Sequence, residues 1–280
     1  MDFPVIDIHL GSSDRVKIVW ATDLHLDAAD RFSLLKFFTS FQEASADIAV
    51  ISGDISNGSQ SLMHLRKLAE LITKPLYFVL GNHDYYFGSI HEIRKEAAKL
   101  TAEYPLLHYL TAETVVPLTK TTALVGHDGW SDGRAGDFFK SKITLNDYIL
   151  IDELKNINPA ERLQKLHELG EEAAAHVRNY LPKAFADYSQ VILVTHPPPF
   201  EEACIFEEVQ TNADWAPHFV CCAVGDALIE IMENFPDKQL LVLCGHSHSR
   251  ADVSILPNLR VIAGESELGD PKIQGTIFVD

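Results

Sequence analysis

The stretch "PLYFVLGNHD", residues 75–84, is an apolar run that ends in a glycine and three polar residues. Consecutive apolar side chains over such a length are typical of a short strand that is buried on both faces of a sheet. The glycine allows other groups to approach the backbone closely. An amide, an imidazole and a carboxylate follow it at once, so the stretch predicts a buried strand that ends in a cluster of reactive side chains.

Five more apolar runs end in a similar way. They are "VKIVWATD" (16–23), "DIAVISGD" (47–54), "TTALVGHD" (121–128), "QVILVTHPPP" (190–199) and "QLLVLCGHSH" (239–248). Helices are predicted between these runs at about 30–45, 59–72, 88–103, 146–156, 160–181 and 223–234. The chain closes on the strand-like stretches "SILPNLRVIAGES" (254–266) and "KIQGTIFVD" (272–280). This alternation predicts an α/β fold in which two β layers pack together with helices outside.

Composition limits the class of protein. With 280 residues and 46% hydrophobic content, the chain can bury a large core in one domain, residues 1–280. Two long connections, 127–190 and 197–239, are expected to form a substrate-selecting cap. The first residues lack the basic segment of a signal peptide, and no apolar run approaches the roughly 20 residues of a membrane span, so a cytoplasmic protein with no membrane partner is expected. The formal net charge of −17 makes nucleic acid an unfavourable partner.

The strand ends collect polar side chains of one chemical kind. Asp23 and His25 are two positions apart, a spacing that would point both to the same side of a strand. Asp7 and His9 have the same spacing, but we expect them in an ordinary strand at the sheet edge. Without Asp7 and His9, the full set of polar residues at the strand ends is Asp23, His25, Asp54, Asn82, His83, Asp84, His196, His246 and His248. Nitrogen and oxygen ligands without thiolate suit Mn, Fe or Zn, and they outnumber the ligands that one ion needs.

In order, the blocks D-x-H, G-D, G-N-H-D, H and G-H-x-H span residues 23–248, and the set resembles the calcineurin-like metallophosphoesterase superfamily. The resemblance implies a four-layer α/β/β/α sandwich that uses two divalent metal ions as cofactors. It implies that the first ion is held by Asp23, His25 and His248, the second by Asn82, His196 and His246, and both by Asp54. It also implies that His83, oriented by Asp84, faces the substrate and donates a proton to the leaving group.

Several alternatives for the activity follow from this resemblance. A small-molecule phosphodiester, such as a cyclic nucleotide, or a phosphomonoester is the expected substrate. The stretches "GDISNGS" (53–59) and "GNHD" (81–84) differ from the G-D-x-V-D-R-G and G-N-H-E blocks of protein phosphatases in that superfamily. Nucleases of the recombination-repair type share G-N-H-D, but the net charge of this chain counts against them. A non-catalytic scaffold with the same fold is the alternative from a different class.

Four further residues are candidates for substrate contact: His127, Asp128, Arg134 and Arg250. The first three lie in "GHDGWSDGR" (126–134), where Arg134 would bind a phosphate through two hydrogen bonds. A turn rich in glycine and aspartate explains that stretch equally well. Five histidines on predicted helices or loops are expected to be solvated, namely His64, His91, His108, His167 and His176. The oligomeric state does not follow from the sequence.

Overall fold

Fourteen strands form two large sheets and one short hairpin in the computed structural model, which describes residues 5–7, 15–206, 209–210 and 212–280. The strands are β1 (Val5–Asp7), β2 (Val16–Ala21), β3 (Ile48–Ser52), β4 (Leu76–Val79), β5 (Leu107–Tyr109), β6 (Val116–Pro117), β7 (Thr122–Gly126), β8 (Gln190–Val194), β9 (Ile205–Phe206), β10 (Val209–Gln210), β11 (Gln239–Cys244), β12 (Ala251–Leu256), β13 (Leu259–Ala263) and β14 (Ile273–Val279).

Both large sheets are mixed and have six strands each. The first sheet has the order β1-β14-β2-β3-β4-β5, in which β2 to β5 run parallel and β14 is antiparallel to β2. The second has the order β12-β13-β11-β8-β7-β6, with antiparallel strands at its two edges and parallel strands between them. Within the described residues, strands β9 and β10 pair only with each other. Parallel strands at the centre of each sheet place their carboxyl ends at a common edge.

Seven α-helices and three short 3₁₀ helices connect the described strands. The α-helices are α1 (Arg31–Glu43), α2 (Ser59–Leu71), α3 (Ile90–Glu103), α4 (Asp147–Leu150), α5 (Pro159–Asp187), α6 (Ala216–Phe219) and α7 (Cys222–Asn234). The 3₁₀ helices are His83–Tyr85, Leu110–Ala112 and Glu201–Ala203. No helix in the described part of the chain is both long and apolar enough to cross a membrane.

Three hydrophobic clusters separate four layers. Along β2, Val19 and Ala21 pack toward α1, α2 and α3, whereas Ile18 and Trp20 pack against the second sheet. A third cluster joins the other face of the second sheet to α5 and α7. Strands that are buried on both faces show the continuous apolar runs seen in the sequence. The predicted α/β/β/α sandwich in a single domain is therefore confirmed.

Two predicted helices differ from the observed ones. The stretch predicted as a helix over 146–156 contains only α4, which ends at Leu150. Helix α5 extends beyond the predicted end at 181 and includes Pro182. Proline removes one helical hydrogen bond, but Ala184 and Phe185 beyond it are buried against the second sheet, which offsets that loss. At the opposite end of the chain, β1 forms the expected edge strand, while His9 lies outside the described residues.

Candidate metal centre

Loops after the buried strands bring the predicted ligands together. Asp23 and His25 lie in the loop beyond β2, with φ angles of 47° and 39°. The prediction that strand pleating aligns them is therefore wrong, because a left-handed loop aligns them instead. Asp54, His246 and His248 also have left-handed backbones, with φ of 51°, 69° and 58°. This conformation costs a non-glycine residue of order 1–3 kcal/mol, so backbone strain is concentrated where the predicted ligands meet.

The first set of candidate ligands contains Asp23, His25, Asp54 and His248, whose ligand atoms lie within 4.8 Å of one another. Nε2 of His25 is 3.2 Å from Nε2 of His248, which is in turn 3.5 Å from Oδ1 of Asp23. Burial opposes ionisation of Asp23, but its hydrogen bond with His248 and the charge of His196 lower its pKa to about 2. Burial also lowers the pKa of His25 to about 4. The set thus offers a carboxylate and a neutral imidazole, the forms that bind metals.

The second set contains Asp54, His196 and His246, whose ligand atoms also lie within 4.8 Å of one another. Asn82 belongs beside them, because its Oδ1 is 3.1 Å from Nε2 of His196. Asp54 is common to both sets: its Oδ1 is 3.3 Å from Nε2 of His196, and its Oδ2 is 3.8 Å from Nε2 of His25. One carboxylate therefore faces two groups of ligands.

Outer hydrogen bonds determine which nitrogen each histidine presents. Nδ1 of His196 is 2.9 Å from the carbonyl oxygen of Ser52, so that nitrogen donates its proton and Nε2 faces Asp54. Nε2 of His246 is 3.0 Å from the carbonyl oxygen of His218, which leaves its Nδ1 as the acceptor. Partners of this kind fix the tautomer and ring orientation of metal-binding histidines. Burial lowers the pKa of His246 to about 3, which keeps this ring neutral.

The surroundings of Asp54 show whether these residues fit a bound cation. It is buried, and its Oδ2 has no hydrogen-bond partner among the described residues. Burial lowers the pKa of His196, but the Asp54 carboxylate outweighs burial and raises it to about 10, so the metal-free pair holds a proton. A cation would displace that proton and contact Oδ2 as well. The oxygen and nitrogen ligands fit first-row divalent ions such as Mn, Fe or Zn.

Glycine is required where the strand ends approach the centre. A methyl group on Gly81 would overlap Oδ1 of Asp54 and Nε2 of His196. A methyl group on Gly245 would overlap the carboxylate of Asp23. The glycines of the G-N-H-D and G-H-x-H blocks therefore make room for ligands that come from other loops.

His83 lies beside both ligand sets and belongs to neither. Its backbone N–H donates to Oδ1 of Asp54 over 2.9 Å, and its ring Nδ1 is 3.0 Å from Oδ1 of Asn57. Nδ2 of Asn57 donates to Asp27 over 2.7 Å, so the amide oxygen must face His83. Nδ1 of His83 therefore carries a proton, and Nε2 is the nitrogen that can exchange a proton with a bound molecule.

Asp84 does not orient the His83 ring directly, so that expectation is corrected. Its buried carboxylate accepts hydrogen bonds from the backbone N–H groups of Ile55, Ser56 and Gly81 at 2.8–3.1 Å and from the Ser61 hydroxyl at 2.5 Å. Adjacent side chains point in different directions along the 3₁₀ helix, which directs this carboxylate into the protein. Asp84 thus joins the loop after β3 to the loop after β4.

Replacing Asp84 with asparagine should destabilise the protein by about 1–3 kcal/mol, since an NH₂ group would face a buried N–H donor. Urea unfolding of the metal-free protein measures this loss. Asp152→Asn, at a solvent-exposed carboxylate, is the matched control and should change stability by less than about 0.5 kcal/mol. Unchanged stability of Asp84→Asn together with an altered NMR signal of the His83 imidazole would instead indicate a direct effect on the His83 ring.

A cleft of about 170 Å³ opens beside the two ligand sets. Its lining consists of Asp54, Asn82, His83, Tyr86, Leu145, Asn146, Asp147, Phe219, His246 and His248. The buried Asp147 accepts hydrogen bonds from Nδ2 of Asn82 over 2.9 Å and from the Tyr86 hydroxyl over 2.8 Å. These bonds turn Oδ1 of Asn82 toward His196. The ring of Tyr86 packs 4.3 Å from that of His83, so one wall of the cleft is aromatic.

Sequence reasoning missed six residues of this cleft region: Asn57, Tyr86, Leu145, Asn146, Asp147 and Phe219. Asn57 and Tyr86 could have been noticed, because Asn57 lies three residues after Asp54 in the G-D block and Tyr86 lies two residues after the G-N-H-D block. The other four stand in stretches with no distinguishing pattern, and only tertiary contacts bring them to the site.

The four candidate substrate residues do not line the cleft. His127 is buried and its Nδ1 accepts from the Gly129 backbone, while Asp128 is buried and accepts from Leu80, Tyr85, Tyr109, Thr111 and Arg94. Arg134 pairs with Glu171, and Arg250 is solvent-exposed. Asp128 instead fixes the end of β4 through the N–H of Leu80.

Among the other histidines, His64 and His176 were wrongly expected to be solvated. His64 is buried, and its Nδ1 lies 3.0 Å from the hydroxyl of Ser56. Nε2 of His176 is buried, and its ring packs 4.6 Å from that of Tyr180. His91 is solvent-exposed as expected.

A four-layer sandwich with two sets of candidate cation ligands that share a carboxylate is the architecture expected of a metallophosphoesterase. The sequence profile of the calcineurin-like phosphoesterase family matches residues 16–250, and the chain belongs to that family. The family depends on two metal ions, in agreement with the two ligand sets. No curated protein matches the sequence.

Solved structures share the fold at low sequence identity. Phosphopantetheinyl hydrolase (PptH) from Mycobacterium tuberculosis is 12% identical and aligns with a TM-score of 0.65 over 90% of both chains. A dimetal phosphatase from Danio rerio is 11% identical and aligns with a TM-score of 0.55 over 91% of this chain and 88% of that chain. A protein from Thermus thermophilus is 16% identical, with a TM-score of 0.50 over 91% of each chain. At these identities the likeness concerns the fold alone.

Proposed function

We propose that the protein hydrolyses a phosphoester bond of a small molecule with two bound divalent cations. The observation that carries this proposal is the position of Asp54, whose two carboxylate oxygens face two separate groups of nitrogen and oxygen ligands. Asp23, His25 and His248 would hold one cation with Asp54, and Asn82, His196 and His246 would hold the other. When bound, such a pair of cations lowers the pKa of water and neutralises charge on a phosphoryl group.

The chain's own residues supply orientation and a proton. His83 lines the cleft and directs Nε2 away from Asn57, so we assign it as the proton donor to the leaving oxygen. Asp147 keeps the amide of Asn82 in its ligand orientation. Asp84 acts on the site indirectly by fixing the two loops that carry Asp54 and His83.

A substrate panel tests the activity. Cyclic nucleotides, linear phosphodiesters and phosphomonoesters are each incubated with the protein and Mn, Fe, Zn, Co, Ni or Mg, with bis(p-nitrophenyl) phosphate as the first probe. Hydrolysis that requires an added metal ion supports the proposal. A phosphopantetheinyl ester extends the panel to the hydrolysis that the name of the Mycobacterium tuberculosis protein gives. Absence of hydrolysis with every metal would favour the scaffold alternative.

A nuclease of the recombination-repair type is distinguished by its salt dependence. Binding to a phosphate backbone through several basic contacts weakens steeply as salt increases. The chain has 40 acidic and 23 basic residues, which opposes such contacts. We therefore expect no digestion of single-stranded or duplex DNA under conditions in which the small diester is hydrolysed.

Asn57 is predicted to position His83. Asn57→Leu removes the acceptor of the Nδ1 proton and should lower kcat/KM on an alkyl phosphoester by about 10²-fold through misorientation of the ring. Steady-state kinetics measure this effect, and metal content should stay unchanged because Asn57 belongs to neither ligand set.

The hydrogen bonds of Asn57 also provide a rescue experiment. Asn57→Asp alone would place a carboxylate against Asp27, 2.7 Å from its present amide, and should lose activity. The double variant Asp27→Asn, Asn57→Asp exchanges amide and carboxylate and again offers an acceptor to Nδ1 of His83. Recovery of kcat/KM in the double variant is expected, whereas equal loss in both would argue against a positioning role.

A further inference from the structure

The cleft beside the two ligand sets has no lysine or arginine in its lining, in which His83, His246 and His248 are the only basic side chains among the described residues. All 23 lysines and arginines of the chain fall within the described residues, so no other lysine or arginine is left that could line the cleft. The nearest candidates by sequence are engaged elsewhere or exposed: Arg94 pairs with Asp128 and Glu172, Arg134 pairs with Glu171, and Arg250 is exposed. Apart from a protonated His83, any positive charge at the phosphoryl group therefore comes from the cations.

The walls of the cleft add negative and apolar surface. Asp147 contributes a buried carboxyl group, and Tyr86, Leu145 and Phe219 contribute aromatic and aliphatic surface. Phe219 is held against the His246 ring at 4.7 Å between ring centroids. Its position brings this apolar surface directly beside the second ligand set.

The number of charges on a phosphoryl group differs between the two substrate classes. A phosphomonoester carries a charge of about −1.5 to −2 at pH 7, because its second pKa is about 6. A phosphodiester has no second ionisable oxygen and carries a single charge. A second charge that enters a cleft without lysine or arginine loses hydration that only the cations and His83 can compensate, whereas many sites that bind phosphate dianions add the paired donors of arginine.

From this lining we propose that the cleft selects phosphodiesters over phosphomonoesters, with the second ester group packed against Tyr86, Leu145 and Phe219. The inference rests on the proposed phosphoesterase function and specifies the substrate class of the same site. Contact with apolar surface stabilises the second ester group of a diester. The same surface offers no hydrogen-bond donor to the second charged oxygen of a monoester.

The test compares two substrates with the same leaving group, p-nitrophenyl phosphate and methyl p-nitrophenyl phosphate, in the metal-loaded protein. We expect kcat/KM to be at least about tenfold higher for the diester. Asn146→Lys then adds one positive charge at an exposed position of the cleft lining. It should raise the ratio of monoester to diester kcat/KM by about tenfold through attraction of the extra charge.

A matched control separates local charge from net charge. Thr114→Lys adds the same charge at an exposed position that does not line the cleft, and it should leave the ratio unchanged. A second readout uses no turnover: isothermal titration of inorganic phosphate into the metal-loaded protein should show tighter binding for Asn146→Lys than for Thr114→Lys.

The outcomes distinguish this inference from the function on which it rests. A wild-type protein that hydrolyses the monoester as efficiently as the diester would overturn the inference while the phosphoesterase function stands. An Asn146→Lys variant with unchanged selectivity and unchanged phosphate binding would overturn its electrostatic basis. If neither substrate is hydrolysed with any metal, the proposed function itself fails.

Discussion

Asp54→Ala is expected to remove both bound cations and to abolish hydrolysis. Asp54 is the only described residue present in both ligand sets, and its two oxygens face different sets. Loss of this carboxylate also removes a negative charge that favours binding of any cation at the centre. Elemental analysis after dialysis against manganese measures the metal content, with two ions per chain expected in the wild type and none in the variant.

Thermal unfolding gives an independent measure of the same effect. A ligand that binds only the folded state stabilises it by about 2.7 kcal/mol when its concentration is 100 times its dissociation constant. Added manganese should therefore raise the melting temperature of the wild type and leave that of Asp54→Ala unchanged. This readout reports binding even if no substrate has been identified.

Asp132→Ala is the matched control for this variant. Asp132 is also a buried carboxylate beyond a strand, but its Oδ2 accepts from the backbone N–H of Ala223 at the start of α7. Its loss should lower stability and leave the manganese response intact. Two retained ions in Asp54→Ala would refute the shared-ligand assignment.

The identities of the candidate ligands could be predicted because each lies within a few residues of an apolar run that marks a buried strand. Asp54, Asn82 and His196 follow β3, β4 and β8, respectively. Parallel strands end at the same edge of a sheet, which places Asp54 beside Asn82. His196 follows a strand of the second sheet and meets them because the two sheets pack face to face. The family resemblance that the order of the blocks carries implied the assignment to two sets.

The backbone that delivers the ligands could not be predicted in the same way. Five of the seven candidate ligands have a positive φ, a conformation that most side chains disfavour. Local propensity predicts ordinary extended or turn conformations at these positions. The packing of two sheets and several loops holds the strained backbone in place, so the strain is a property of the whole fold.

The residues that hydrogen-bond to the side chains of the candidate site could not be predicted from the sequence either. Asn57 is 26 residues from His83, and Asp147 is 65 residues from Asn82. An asparagine in a Gly/Ser turn is normally explained by the turn itself. The resemblance implied that Asp84 orients His83, whereas the structure directs its side chain to backbone donors elsewhere.

His83→Gln is expected to slow hydrolysis of esters with poor leaving groups by about 10²- to 10⁴-fold, the usual size of general acid catalysis. An alkoxide needs a proton as it departs, and glutamine cannot provide one. A p-nitrophenolate leaving group is stable without protonation, so the rate of hydrolysis of the aryl ester should fall far less. The measurement is kcat/KM on an alkyl and an aryl phosphodiester that share the same second ester group.

The ratio of these two losses decides between proton donation and other roles of His83. A residue that only positions substrate affects both leaving groups equally, whereas a proton donor affects the poorer one more. Metal content should match the wild type, because His83 belongs to neither ligand set. His91→Gln, at an exposed position on α3, is the matched control and should leave both rates unchanged. Equal losses on both esters in His83→Gln would assign the histidine to binding, and the proton would then have to come from solvent.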